Sequence, residues 1–213
     1  MIYPKLKRPI DLILAVTGLI LLLPLLLAIA VIIKLDSKGP VLFKQKRIGK
    51  GKRTFYIYKF RTMRIDTPKD TPTHMLKDPE KWITRVGRFL RKTSLDELPQ
   101  ILNIIKGDMS IIGPRPALWN QYDLIAERDN YGANDILPGL TGWAQINGRD
   151  ELPIKEKARL DGEYVQKLGL AMDIKCFFGT IISVIKSDGV VEGGTGSLKA
   201  ARKEYKQNRR TTT

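Results

Sequence analysis

The sequence predicts a mixed α/β domain, mainly helical, behind an N-terminal apolar helix that enters a membrane. Three observations predict it. Residues 10–34 are apolar apart from Asp11, Thr17 and Lys34. Residues 41–60 hold two β-branched and aromatic runs on either side of a Gly/Lys turn. Apolar and basic residues then recur at helical spacing. With 213 residues, the chain is long enough for one substantial core with an attached segment.

The apolar run comes first. Roughly 24 helical residues reach about 36 Å, enough to cross the core of a bilayer. A cleaved leader is the weakest reading. Ala28-Ile29-Ala30 looks like a cleavage site, but the run exceeds the usual leader length and continues past it. A straight span and a re-entrant bend remain. Pro24 lies near the centre, lacks an N–H and clashes with the preceding turn, so it bends a helix. Both flanks are basic: Lys5, Lys7 and Arg8 before, Lys34, Lys38 and "KQKRIGKGKR" after. Lys and Arg prefer the cytoplasmic side, which favours a bend that returns to it. Proline is tolerated in spanning helices, so the straight span stays open.

The later elements follow in order. "VLF" and "FYIYKF" read as strands around "GKGKR". Residues 66–80 carry three prolines and read as a loop. Arg85, Arg88, Arg91 and Lys92 make one cationic stripe, either a solvated helix face or an anion site. Leu98, Ile101, Leu102 and Ile105 form an apolar helix face, and Gly107 is its stop. "GPRP" at 113–116 cannot be helical, so Arg115 rides on a stiff extended backbone that suits a phosphate. Residues 137–151 read as a Gly-rich loop with Trp143, Gln145, Asn147 and Arg149, either ligand-binding or plain turn chemistry. The apolar helix from Asp173 is too short to span, so it is a core helix or an interfacial one. The expected organisation is a membrane segment at 1–38, a catalytic domain at 39–198 and a basic tail at 199–213.

Composition narrows the function. Lys and Arg number 37 against 22 Asp and Glu. Residues 1–64 hold 14 basic and 2 acidic residues, so the charge is concentrated there and points to an anionic partner. One cysteine, Cys176, excludes an internal disulfide and a thiolate zinc cluster. The single histidine, His74, sits in a polar stretch and is a poor base for a triad.

Asp96 and Glu97 stand out in this basic chain. Ser94 and Glu97 fit a capping box, and acidic residues in a first turn complement the helix dipole. A functional reading gives the neighbours different jobs, since adjacent helical residues point apart. An aspartate beside cations stays ionised and suits a nucleophile. Carboxylate oxygens suit Mg2+, which commonly joins one or two of them to substrate phosphates. A capped helix start is also a rigid mount, so the two readings are compatible.

Lys7-Arg8, Pro24, "YKFRTM" (58–63), "RKTSLDELPQ" (91–100), "KGDMSIIGPRP" (106–116) and "PGLTGWAQINGR" (138–149) together resemble the small monotopic phosphoglycosyl transferases, the bacterial sugar transferases that act on a polyprenol phosphate. The resemblance covers nearly the whole chain. It implies an α/β, mainly helical cytosolic domain with a re-entrant membrane helix bent at Pro24 and interfacial amphipathic helices, on the cytoplasmic face of the bacterial inner membrane. Family members often have serine before that proline, where this chain has Leu23. The resemblance also implies that Asp96 attacks a UDP-sugar, that UMP leaves, and that a phosphosugar-aspartyl intermediate passes its sugar-1-phosphate to undecaprenyl phosphate. Glu97, with Asp96, is implied to bind Mg2+. Lys59, Arg91 and Arg115 match basic positions suited to phosphate or nucleotide contact, and Asp173 matches a recurrent acidic position; with Gln145, Asn147 and Arg149 of the Gly-rich loop they make up the substrate-binding candidates. The implied partners are UDP-sugar, polyprenol phosphate, membrane phospholipid and downstream glycosyltransferases of glycoconjugate assembly, with no nucleic acid.

Two rivals remain. One is a non-catalytic, membrane-anchored basic module that binds anionic lipid or nucleic acid. It explains the charge and the anchor but not the ordered motifs of the less basic remainder, and no nucleic-acid-binding module is visible. The other is one-step transfer with Asp96 as a metal ligand only.

Overall fold

The computed structural model describes residues 3–67, 79–148 and 152–186. His74, Arg149 and the basic tail lie outside the described residues.

Helix α1 runs Tyr3–Asp36, with Pro9 and Pro24 inside it. It is the one described helix long and apolar enough to cross a membrane. Only Asp11, Ala15, Ile29 and Ile33 on α1 are buried, which marks a single stripe. Ile20, Leu21, Leu27 and Val31 on its other sides are exposed. Such a surface is costly in water and favourable in lipid.

The predicted hairpin is present. β1 (Leu42–Ile48) and β2 (Thr54–Phe60) pair antiparallel, with Gln45 opposite Ile57 and Phe43 opposite Lys59. Helix α2 (Arg85–Lys92) carries the cationic stripe and starts at Thr84, whose hydroxyl accepts from Gly87 N–H at 2.9 Å. Gly87 seats this helix, since a Cβ there would lie 2.0 Å from Thr62 O.

The segment after α2 differs from the expected capped α-helix. Residues Leu95–Gln100 form a 3-10 helix, and α3 (Ile101–Lys106) starts only after it. Ser94 sits in the left-handed region at φ +57° and its side chain makes no cap. Pro99 explains much of this. It has no N–H for an α-helical bond back to Leu95. The buried residues of α3 are Asn103 and Ile104, while Leu102 is 39% exposed, so the apolar face also sits differently. Gly107 does end α3, at φ +97°.

A second, parallel pair joins β3 (Ser110–Ile112) to β4 (Gly139–Thr141). Helix α4 (Tyr122–Asp129) lies between them in sequence. The loop predicted over 137–151 is therefore partly regular, since α5 (Trp143–Ile146) follows β4. Backbone contact explains its glycines. A Cβ on Gly142 would lie 2.0 Å from Gly113 O, and one on Gly139 would lie 2.1 Å from Gly113 N. Side chains there would separate the two segments.

Helices α6 (Ile154–Gln166) and α7 (Leu170–Lys186) complete the described domain. Met172 and Cys176 of α7 pack with Ile112 and Tyr164. Burial pushes the Cys176 thiol up to about 12, which makes it inert. Ile174, Phe177, Phe178, Ile181 and Ile182 of the same helix are exposed. The helix thus packs one apolar side on the domain and leaves a second apolar side exposed.

Both ends of α1 are fastened to this domain. Near its start, the Arg8 guanidinium donates to Ile104 O at 2.6 Å and Ile105 O at 3.1 Å, at the carbonyl end of α3. Asp11 accepts from Ser110 Oγ at 2.6 Å. Ala15 packs with Ile57, Ile104 and Met109. Near the other end, Ile29 and Ile33 pack with Phe60 and Leu90. Arg61 donates to Ser37 O at 2.7 Å and also to Lys38 O.

Candidate active site

The turn before α3 and strand β2 meet at the acidic pair. Asp96 is 9% exposed. Glu97 is bonded directly to two cations. Its Oε1 accepts from Lys59 Nζ at 2.7 Å and Arg115 Nη2 at 2.6 Å, and its Oε2 accepts from Arg115 Nη1 at 3.1 Å. The two arginine bonds make a forked, charge-assisted pair. Arg91 joins from α2, where its Nε donates to Thr62 Oγ1 at 2.9 Å.

Electrostatics separate the two neighbours. Burial would push Glu97 up, but Arg115 and Lys59, by charge and by hydrogen bonding, hold it well below the usual carboxylate range. Asp96 is shifted the opposite way. Burial raises it, and the Glu97 charge adds to the rise. The through-space pull of Lys59, Arg91 and Arg115 opposes the rise without cancelling it. Glu97 is therefore a fixed anion, and Asp96 a more basic carboxylate beside it.

Asp96, Glu97, Lys59, Arg91 and Arg115 thus form one cluster. Their positions follow from local structure. Lys59 sits on β2 directly before Phe60, which is buried against α1 and α2. Arg115 extends from the non-helical "GPRP" arm as its prolines require.

Gln145, Asn147 and Asp173 sit in surroundings of their own. Gln145 is buried in α5, and neither amide atom has a hydrogen-bond partner among the described residues. Asn147 donates to Trp143 O at 2.8 Å and so closes its own helix. Asp173 accepts from Tyr3 OH at 2.6 Å, Lys7 Nζ at 2.5 Å and Tyr164 OH at 2.7 Å. Its carboxylate ties α7 and α6 to the start of α1.

Two supporting residues were not singled out from the sequence. Thr62 orients Arg91. Asn103, fully buried on α3, accepts from Tyr58 N–H at 3.0 Å and donates to Tyr56 O at 2.8 Å. It holds the edge of β2 beside Lys59. The available signal was a polar residue inside the apolar run "ILNIIK".

The sequence model of the family described as "Bacterial sugar transferase" matches residues 2–187. The chain belongs to that family. Its relatives include the UDP-glucose:undecaprenyl-phosphate glucose-1-phosphate transferase of Xanthomonas campestris pv. campestris, 43% identical over 82% of this chain and 38% of that protein. The UDP-N-acetylgalactosamine-undecaprenyl-phosphate N-acetylgalactosaminephosphotransferase of Aeromonas hydrophila is 40% identical over 88% of this chain and 45% of its own length. The exopolysaccharide production protein PSS of Rhizobium leguminosarum bv. phaseoli is 39% identical over 84% of this chain and 94% of its own. The chain spans less than half the length of the first two.

The family resemblance implies Mg2+, and the donor set suits it in one mode. Among the described residues no third Asp, Glu, His or Cys completes a cluster with this pair. Asp96 and Glu97 instead match the mode in which one or two carboxylates hold the ion and substrate phosphates supply further oxygens. Oε1 of Glu97 accepts two N–H groups and Oε2 accepts one, so Oε2 is the better placed donor.

Proposed function

We propose that this protein transfers a sugar-1-phosphate from a UDP-sugar to undecaprenyl phosphate, with release of UMP. The observation that carries the reading is the acidic pair set among Lys59, Arg91 and Arg115, with Asp96 buried and Glu97 bonded to Arg115 and Lys59. Glu97 is locked as an anion by Arg115 and Lys59, and Asp96 beside it is made more basic by burial. The names of the relatives from Xanthomonas and Aeromonas support the substrate classes.

In the first step an Asp96 oxygen attacks the β-phosphorus of the UDP-sugar. The bond from that phosphorus to the bridging oxygen breaks, and UMP leaves with the electron pair. The product is a phosphosugar-aspartyl anhydride. In the second step a phosphate oxygen of the polyprenol attacks the same phosphorus. The acyl-phosphate bond breaks and restores the Asp96 carboxylate. Arg91, Arg115 and Lys59 offset the phosphate charge in both steps. Mg2+ held by Asp96 and Glu97 would supply further charge neutralisation at the phosphates. Downstream glycosyltransferases would extend the lipid-linked sugar.

The acceptor lies in a membrane, and the fold suits that location. Both ends of α1 bond to one domain, which supports a re-entrant helix over a straight span. Labels at residues 3 and 50 should both report the cytoplasmic face. Opposite sides would refute the bend at Pro24.

The decisive experiment omits the acceptor. Protein incubated with UDP-sugars and Mg2+ should release UMP in stoichiometric amount and carry a phosphosugar on Asp96. Turnover only with acceptor, with no adduct trapped, would exclude the covalent step. No UMP from any UDP-sugar would exclude the activity.

A further inference from the structure

The arm that carries Arg115 is pinned carbonyl by carbonyl. Pro114 O accepts from Gly139 N–H at 2.9 Å, Pro116 O from Arg47 Nη1 at 3.0 Å, and Ala117 O from Ile48 N–H at 3.0 Å. The remaining carbonyl, Arg115 O, accepts from Arg128 Nη2 at 3.0 Å. Arg128 comes from α4 and is itself held by Asp161 of α6. Its Nε and Nη2 donate to Asp161 Oδ2 at 2.8 and 2.6 Å. Arg128 is 3% exposed and Asp161 1%.

Such a pair is a poor device for stability alone. Desolvating two charges costs about as much as their attraction returns, and apolar residues of similar volume often serve as well. Here the balance is not optimised. Asp161 Oδ1 is buried with no hydrogen-bond partner among the described residues, and burial pushes the carboxyl up despite the opposing pull of Arg128. An apolar pair would fill the space but could not donate to Arg115 O.

We propose that Arg128 and Asp161 are positioning residues for the candidate active site. Asp161 orients Arg128, Arg128 fixes the backbone of Arg115, and Arg115 then meets Glu97 with both arms of its guanidinium. The catalytic consequence rests on the transferase reading. The geometric claim does not.

The test uses the full chain in detergent or nanodiscs. Removing Arg128 alone strands a buried carboxylate and risks unfolding. The informative variant is therefore the double substitution Arg128→Met with Asp161→Leu, checked for wild-type melting and circular dichroism. With 15N-arginine labelling, the Arg115 side-chain N–H signal, assigned by Arg115→Lys, should lose its protection from solvent exchange. In UMP release, kcat should fall about 10- to 100-fold while the KM for UDP-sugar stays within about twofold. Arg128→Lys, which keeps one donor and the charge, should recover part of both. A folded double variant with an unchanged Arg115 signal and wild-type kcat overturns the proposal. If the wild type releases no UMP, the transferase reading fails, and the Arg115 signal still decides the positioning claim.

Discussion

Glu97 and Asp173 are both acidic residues enclosed by donors, yet they sit in opposite charge balances. Among the described residues, three cations (Lys59, Arg91 and Arg115) face the Asp96–Glu97 pair. Around Asp173, one ammonium, Lys7, faces two carboxylates, since Asp11 lies 3.9 Å from the same nitrogen. Two tyrosine hydroxyls complete the second group. The first group keeps a surplus of positive charge and can receive a phosphate. The second has none to offer and works as a fastener between α1, α6 and α7. A buried acid with a cationic partner is therefore not a site by itself. What matters is the charge left over and the direction in which it faces.

Substitutions should separate the two groups, beginning with Asp96, the proposed nucleophile. Asp96→Asn should lower UMP release by at least about a thousandfold, with loss of the covalent adduct. The sign of its stability effect is also set. A carboxyl raised in the folded state stabilises the fold at low pH, and that stability is lost as pH rises through the raised value. At neutral pH the amide avoids the cost of the buried charge. Asp96→Asn should thus melt at an equal or higher temperature than the wild type.

Glu97→Gln should reduce turnover by about 10- to 100-fold and raise the Mg2+ concentration needed for half activity. Asp173→Asn should do the reverse. Turnover per folded molecule should stay near wild type, while stability falls by about 1–3 kcal/mol in thermal or denaturant unfolding. If Asp173→Asn instead abolished UMP release from well-folded protein, the division between the two groups would collapse.

The smallest effect is the most diagnostic. An attacking aspartate must be ionised, so the acid limb of kcat/KM should lie above the ordinary aspartate range. Lys59 exerts the strongest cationic pull on Asp96. Lys59→Gln should move that limb to higher pH. A limb that stays in place would separate Lys59 from the nucleophile.

Much of the fold was legible in the residues. The β-hairpin, the Gly107 stop and the extended Pro-Arg-Pro arm follow from preferences acting within a few residues, and the structure bears them out. The apolar helix and the acidic pair were legible for the same reason. Where two local preferences competed, the reading failed. Ser94 and Glu97 matched a capping box, but Pro99 blocked the α-helix and the cations drew Glu97 away. The short parallel pair β3–β4 was missed because its three-residue strands are too brief to show alternation.

By itself, then, the sequence determined the long apolar helix, the order of most elements and the presence of the acidic pair. These depend on covalent geometry, hydropathy and local hydrogen bonding. Only the tertiary structure decided which partners each acid meets. Glu97 finds its cations 38 and 18 residues away, and Asp173 finds two of its three donors 170 and 166 residues away. Charge balance at a buried carboxylate is a sum over neighbours in space, and no run of residues records that sum before the chain is folded.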